Sequence, residues 1–160
     1  MKQINITATL TVFDNKDELP ETIGNLMDKA IDIRSKAYAP YSKFNVGAAI
    51  LLQDDTIVTG NNQENAAYPS GLCAERTALF YAGAQHPEQS IKAMALTASS
   101  TKHQSLTPTP PCGACRQAIA EYEVKQNQPI EIYFMGDTGK VVKANSISDL
   151  LPLIFDNSFL

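Results

Sequence analysis

The chain has no excess of basic residues, no long apolar run and few of the residues that usually ligate metals. Its 13 lysines and arginines are outnumbered by 17 acids, scattered rather than blocked, for a net charge of -4. Without a basic stripe to neutralise phosphates, the balance argues against nucleic acid as a partner. Nowhere do about eighteen apolar residues run together, so no membrane span is expected. Met1 to Asn15 holds one lysine and no apolar run, unlike a secretory signal, and a cytoplasmic location is expected. There is no internal repeat and no linker long enough to divide the chain. One domain over residues 1–160 is expected, with residues 1–18 as an N-terminal strand extension. Neither His86 nor His103 sits in a paired metal motif, and each reads as a surface histidine. Cysteines number only three, so disulfides would leave one thiol over; in a reducing compartment an odd set points to metal or catalysis.

What is present is an ordinary globular pattern, 44% hydrophobic and 19% charged, enough to build a core without staples. Ile4, Ile6, Ala8, Leu10 and Val12 alternate with polar residues, which predicts a half-buried strand from Met1 to Phe13. Helical spacing of Ile23, Leu26, Met27, Ala30 and Ile31 predicts a helix over Leu19 to Tyr38, with Pro20 in its first turn. Phe44 to Leu52 reads as a buried strand and Thr56 to Gly60 as its hairpin partner. Helices are predicted from Cys73 to Ala84 and from Cys112 to Val124, and strands over Ala93–Ser99, Ile130–Met135 and Val141–Ala144. Ser148 is expected to open a short helix that Pro152 ends. Polar, Pro- and Gly-punctuated loops fill Asn61 to Leu72 and Ser100 to Pro111. Strands alternating with helices place the chain in the α/β class.

The cysteines fall at informative places. Cys112 and Cys115 form P-C-x-x-C at the start of a predicted helix, three residues apart on one face, so one ion can reach both sulfurs. Taken alone, the pair also fits buried core thiols or a redox dithiol. Cys73 also opens a helix behind a loop, and two helix N-termini would favour the thiolates a metal requires. Three thiolates without a fourth protein ligand resemble a catalytic zinc site, where water takes the open position. Glu75, two residues after Cys73, can be a simple partner of the helix dipole or a proton carrier beside metal-activated water. Arg76 can be a solvated charge, or a guanidinium that tempers the negative charge of three thiolates around Zn²⁺.

The combination Cys73-Ala74-Glu75-Arg76 with Pro111-Cys112-Gly113-Ala114-Cys115-Arg116-Gln117 resembles the cytidine deaminase family. The resemblance extends to Tyr41-Ser42-Lys43-Phe44-Asn45-Val46-Gly47-Ala48-Ala49 and Asn62-Gln63-Glu64-Asn65-Ala66 with Tyr68-Pro69. It ends at Leu150-Leu151-Pro152 with Phe155, covering roughly Ala30 to Phe155. It implies a three-layer α/β/α fold around a mixed five-stranded sheet, and a homotetramer with one zinc per subunit. It implies that Cys73, Cys112 and Cys115 hold Zn²⁺ and that Glu75 shuttles a proton from water to ring N3 during hydrolytic deamination of cytidine and deoxycytidine, a pyrimidine salvage reaction. By the same resemblance Asn62 and Glu64 hold the ribose, the Ala74 backbone N–H meets the pyrimidine O2, and Phe44 packs near the nucleoside. Tyr68 and Phe155 approach the site of a neighbouring subunit, and Arg76 supports the metal. On composition alone, Asn62 and Glu64 fit turn hydrogen bonding, and Phe44, Tyr68 and Phe155 fit core or interface.

Nucleotide, tRNA and single-strand deaminases share Glu and P-C-x-x-C but use His-x-Glu first, whereas the first ligand here is Cys73. Blasticidin S deaminase shares Cys-Ala-Glu, but the intact Asn62-x-Glu64 suits a ribose. A non-catalytic zinc-stabilised binding protein is the alternative from another class, opposed by the missing fourth ligand and by Glu75. Two features depart from the compact family pattern: the strand Met1–Phe13 and the proline-rich loop Ser100–Pro110.

Overall fold

A computed structural model describes residues 1–102 and 104–160. In chain order the elements are β1 (Leu10–Phe13), α1 (Glu21–Arg34), β2 (Phe44–Leu52), β3 (Ile57–Asn61), α2 (Ala74–Gln85), β4 (Ile91–Ser100), α3 (Gly113–Gln126), β5 (Glu131–Met135) and β6 (Val141–Ala144). One mixed sheet runs in the order β1-β6-β5-β4-β2-β3. Only β4 and β5 are parallel, and α3 provides the crossover that a parallel pair requires. The α/β/α layering matches expectation, but the sheet has six strands, not five. The sixth is β1, paired antiparallel with β6 from Leu10 opposite Ala144 to Phe13 opposite Val141.

Local chemistry explains where other expectations shift. The alternation from Met1 to Phe13 continues past its partner: β6 offers only four residues, so pairing stops at Leu10 and residues 1–9 lie exposed. Helix α1 begins at Glu21, with the Pro20 carbonyl accepting from the N–H groups of Ile23 and Gly24. It ends at Arg34 rather than Tyr38. There the ladder tightens into bonds from Ser35, Lys36 and Ala37 to the carbonyls three residues before, and Tyr38 turns away to bridge Gln63. The helix expected at Ser148 is a single 3-10 turn, Ile147–Asp149. Cys73 and Cys112 lie one residue before α2 and α3, as their N-caps.

Strand β2 is covered on both faces, which is why it reads as a nearly continuous apolar run. Ala49 and Leu51 pack with Leu26, Met27 and Ala30 of α1. Ala48, Ile50 and Leu52 pack with Ala78, Leu79 and Ala82 of α2 and Ile119 of α3. Helices α2 and α3 therefore share one face of the sheet, and their N-termini meet at the same end of it. The approach of α2 to β3 depends on Gly60, where a Cβ would lie 2.5 Å from the Ala78 amide and 2.8 Å from the Ala74 carbonyl. Overpacking of this kind costs about 1–3 kcal/mol. Gly60→Ala is accordingly expected to lower the unfolding free energy by that order, read as a lower urea midpoint with an unchanged slope. A midpoint equal to that of the parent would show that α2 and β3 are not in such tight contact.

Candidate active site

Two helix starts build the centre. Cys73 caps α2 and Cys112 caps α3 in extended backbone, φ/ψ -72/154 and -67/166, and neither cap makes a side-chain hydrogen bond. Their sulfurs are thus free to face one another. Cys115, one turn into α3, completes the set from a buried position. The Cys73 and Cys112 sulfurs are 3.9 Å apart, those of Cys112 and Cys115 3.5 Å, and all three lie within 4.8 Å of one another. Zinc–sulfur bonds of about 2.3 Å in tetrahedral geometry separate sulfurs by roughly 3.8 Å, so the donor set and its spacing fit zinc with one position left over. Among the described residues no other His, Cys, Asp or Glu group has such spacing. His86 caps the opposite end of α2, roughly 20 Å from Cys73 at 1.5 Å per residue, and is not a fourth ligand. His103 lies outside the described residues.

The electrostatics are those of crowded negative charge. Hydrogen bonding from the Cys115 thiol, and then from Arg76 and Cys112, holds the Cys73 thiol down at about 5 against the opposing effect of burial. Cys115 moves the other way, pushed up by its bond to Cys73, by burial and by the charge of Glu75. Glu75 is 5% exposed; burial first, and then the Cys73 thiolate, raises its carboxyl pKa above the ordinary range. Arg76 places Nη2 3.7 Å from the Cys73 sulfur, and that bond strengthens its hold on its proton. Its Nε is buried without a partner, so the guanidinium is committed to this position by the sulfur side.

A cleft of about 460 Å³ opens over the centre. It brings together Cys73, Cys112, Glu75 and Ala74 with Phe44, Asn62 and Glu64, which the chain supplies from four separate segments. Asn62 sits with Oδ1 accepting from the Val46 amide at 2.8 Å and Nδ2 donating to the Phe44 carbonyl at 2.9 Å. Glu64 accepts from the Tyr41 and Ser42 amides through Oε2 at 2.8 and 3.3 Å, and the Ser42 hydroxyl first among these partners holds its carboxyl below the usual value. Both side chains therefore knot the 61–65 loop to the start of β2. The second N–H of Asn62 and Oε1 of Glu64 take no part in those bonds.

Tyr68 is 79% exposed and lines an adjoining cleft with Glu64, Cys73 and Arg76. Phe155 is 59% exposed, stacks on Phe159 at 5.6 Å between ring centres, and lines neither cleft. Sequence reasoning left Arg116 and Gln117 without roles. Arg116 donates to the carbonyls of Pro111 and Leu150, and Gln117 donates to the carbonyl of Phe155, so the first turn of α3 also anchors the C-terminal segment. Their signal was the continuation of the motif beyond Cys115. Thr109 and Pro110 also line the main cleft, from the proline-rich loop that departs from the compact family pattern.

Cys115 must lose its raised proton to bind a metal as thiolate. Zinc loading of metal-free protein at neutral pH is expected to release at least about one proton per ion. Calorimetry in two buffers of different ionisation heat measures this. Zero release would exclude Cys115 as a thiolate ligand.

Comparison with known proteins agrees with this geometry. The family model for the cytidine and deoxycytidylate deaminase zinc-binding region matches residues 20–128, a span that holds all three cysteines and Glu75. The cytidine deaminase of Sporosarcina psychrophila is 40% identical over 138 residues, 86% of this chain and 94% of that one. That of Halalkalibacterium halodurans is 39% identical over 130 residues, 81% of this chain and 91% of that one. The crystal structure of cytidine deaminase from Burkholderia pseudomallei superposes with a TM-score of 0.71 at 39% identity, covering 82% of this chain and 97% of that one. With the family region, the full-length relatives and the fold in agreement, the chain belongs to the cytidine and deoxycytidylate deaminase zinc-binding family.

Proposed function

We propose that the protein hydrolyses cytidine, and deoxycytidine, to the corresponding uridine and ammonia. The observation that carries this reading is the buried carboxyl of Glu75 in the same cleft as Cys73 and Cys112, two members of the three-sulfur cluster that Cys115 completes. A structural metal site has no use for such a group. Zinc held by three thiolates with one position open activates water as a nucleophile near neutral pH.

The residues then divide the work. Glu75, its basicity raised by burial, takes a proton from the attacking water and delivers it to ring N3 as the new bond forms at C4. It next carries the remaining water proton to the departing amino group. The C4–N bond breaks, ammonia leaves, and C4 retains the oxygen as a carbonyl. In this reading the Ala74 amide, at the first turn of α2, donates to the pyrimidine O2, and the helix start favours partial negative charge there. Asn62 and Glu64 present a donor and an acceptor for ribose hydroxyls, and Phe44 gives the nucleoside an apolar wall. Arg76 draws electron density from the Cys73 sulfur and keeps the metal electrophilic.

The assembly that suits this chemistry is a homotetramer with one zinc per subunit. Its support is the exposure of Tyr68 and Phe155, aromatic rings outside their own main cleft. Among the described residues no helix is long and apolar enough to cross a membrane. Three free thiols that must stay reduced suit a cytoplasmic enzyme of pyrimidine salvage.

Glu75→Gln keeps the shape and removes the base. It is expected to remain folded and zinc-loaded while losing about 10²–10⁴-fold or more in turnover, read from the ultraviolet change as cytidine becomes uridine. Turnover near that of the parent would end the proton-carrier role. The shared pocket is tested by mixing Glu75→Gln with Phe155→Ala under conditions that exchange subunits. Mixed oligomers are expected to recover part of the lost activity. Proven exchange without recovery would assign Phe155 to its own subunit.

A further inference from the structure

The loop between β4 and α3 stands outside the roles assigned so far, yet it forms part of the cleft. Thr109 and Pro110 line the cavity that holds Phe44, Glu75 and Cys112. Pro108, Pro110 and Pro111 restrict the backbone around them, so residues 104–110 behave as a stiff strap whose position depends on where its near end is fastened.

The fastening lies at the turn after β5. The Ser105 carbonyl accepts from the Asp137 amide. Beside it, Gly136 leaves no room for a side chain: a Cβ there would lie 2.1 Å from the Ser105 oxygen and 2.9 Å from the Thr107 oxygen. The three nearest atoms to that Cβ all belong to the strap. The turn in turn is tied to the opposite layer. Arg34, the last residue of α1, donates through Nη2 to Asp137 Oδ1 and through Nη1 to Thr97 Oγ1, both at 2.6 Å. Thr97, buried in β4, donates onward to the Gly136 carbonyl at 2.7 Å. The Arg34 side chain is 13% exposed. Its planar fork reaches two acceptors at once, which a lysine ammonium on a single stem does not reproduce.

The network starts from α1, which packs on the sheet face opposite α2 and α3, and it reaches the cleft through Thr97, which lines it. We infer that Arg34 and Asp137 are positioning residues for the substrate cleft. They hold the Gly136 turn so that it fixes the strap, and the strap sets the wall formed by Thr109 and Pro110. The inference rests on the deaminase reading for its substrate, but the fastening itself can be observed without one.

The test uses full-length, zinc-loaded protein and three variants. Gly136→Ala pushes directly on the strap, Asp137→Ala removes the tie to Arg34, and Asp137→Asn keeps an acceptor for it. Hydrogen exchange of the amides in residues 104–110 and the KM and kcat for cytidine are measured together. Gly136→Ala is expected to speed strap exchange and raise KM about tenfold, with kcat within about twofold and zinc still at one per chain, because misplacement of binding groups by about 1 Å can cost up to 10²-fold. Asp137→Ala should move both readouts in the same direction, and Asp137→Asn should recover part of the loss. If Gly136→Ala fails to fold, the Asp137 pair carries the test. Unchanged strap exchange overturns the inference. So does faster exchange with KM within about twofold of the parent, or a lowered melting temperature with KM unmoved. A parent enzyme inactive on cytidine would refute the proposed function instead, and strap exchange alone would then decide whether the tie exists.

Discussion

Three sulfurs within 4.8 Å of one another, with a buried carboxyl beside them, crowd four acidic groups into one knot, where each negative charge that forms needs compensation. Here the compensation is architectural. Two helices begin at the cysteines, so their unpaired N–H groups and dipoles face the negative groups. Arg76 adds a full positive charge from within the first turn of α2. Hydrogen bonds from Cys115, Arg76 and Cys112 lower the Cys73 thiol, while the bond to Cys73 and burial raise that of Cys115. The packing of α2 and α3 on one sheet face is therefore also the means by which the centre is kept chemically poised.

Around that knot, most polar side chains serve two masters. Asn62 and Glu64 bind backbone on one side and face the cleft on the other. Arg116 and Gln117 follow directly on a cysteine yet hold the carbonyls of Leu150 and Phe155. The bonds that shape the cleft are thus also bonds that close the fold.

The centre was legible in the sequence because its chemistry is concentrated in short, local motifs. Cys-Ala-Glu-Arg and Pro-Cys-x-x-Cys each specify a helix start and its cysteines within a few residues, and the fold brings the three sulfurs together. The strand β2 was equally plain from its apolar run. What escaped depends on distant partners. The length of β1 is set by β6, more than a hundred residues away, and no local pattern reveals that the partner has only four residues. The end of α1 is decided by the bridge of Tyr38 to Gln63 rather than by helical periodicity. Thr109 and Pro110 read as a polar, proline-rich loop, and no local pattern shows that the same loop meets the distant turn at Gly136 and Asp137 through Ser105 and Thr107. The placement of Phe155 beside Phe159, away from its own cleft, likewise has no local signature.

The close seat of α2 on Gly60 has a consequence for how such a protein can change over generations. Helix α2 carries core contacts along Ala78, Leu79 and Ala82, and carries Cys73 and Glu75 at its leading end. A rigid helix transmits any shift of its packed face to its tip, so a volume change deep in the core displaces Cys73 and Glu75 together. Mutational drift in this layer is therefore filtered twice, once by packing and once by chemistry. Evolvability is pushed outward, to the loops and the N-terminal strand, where the sheet can gain an edge without moving the lever.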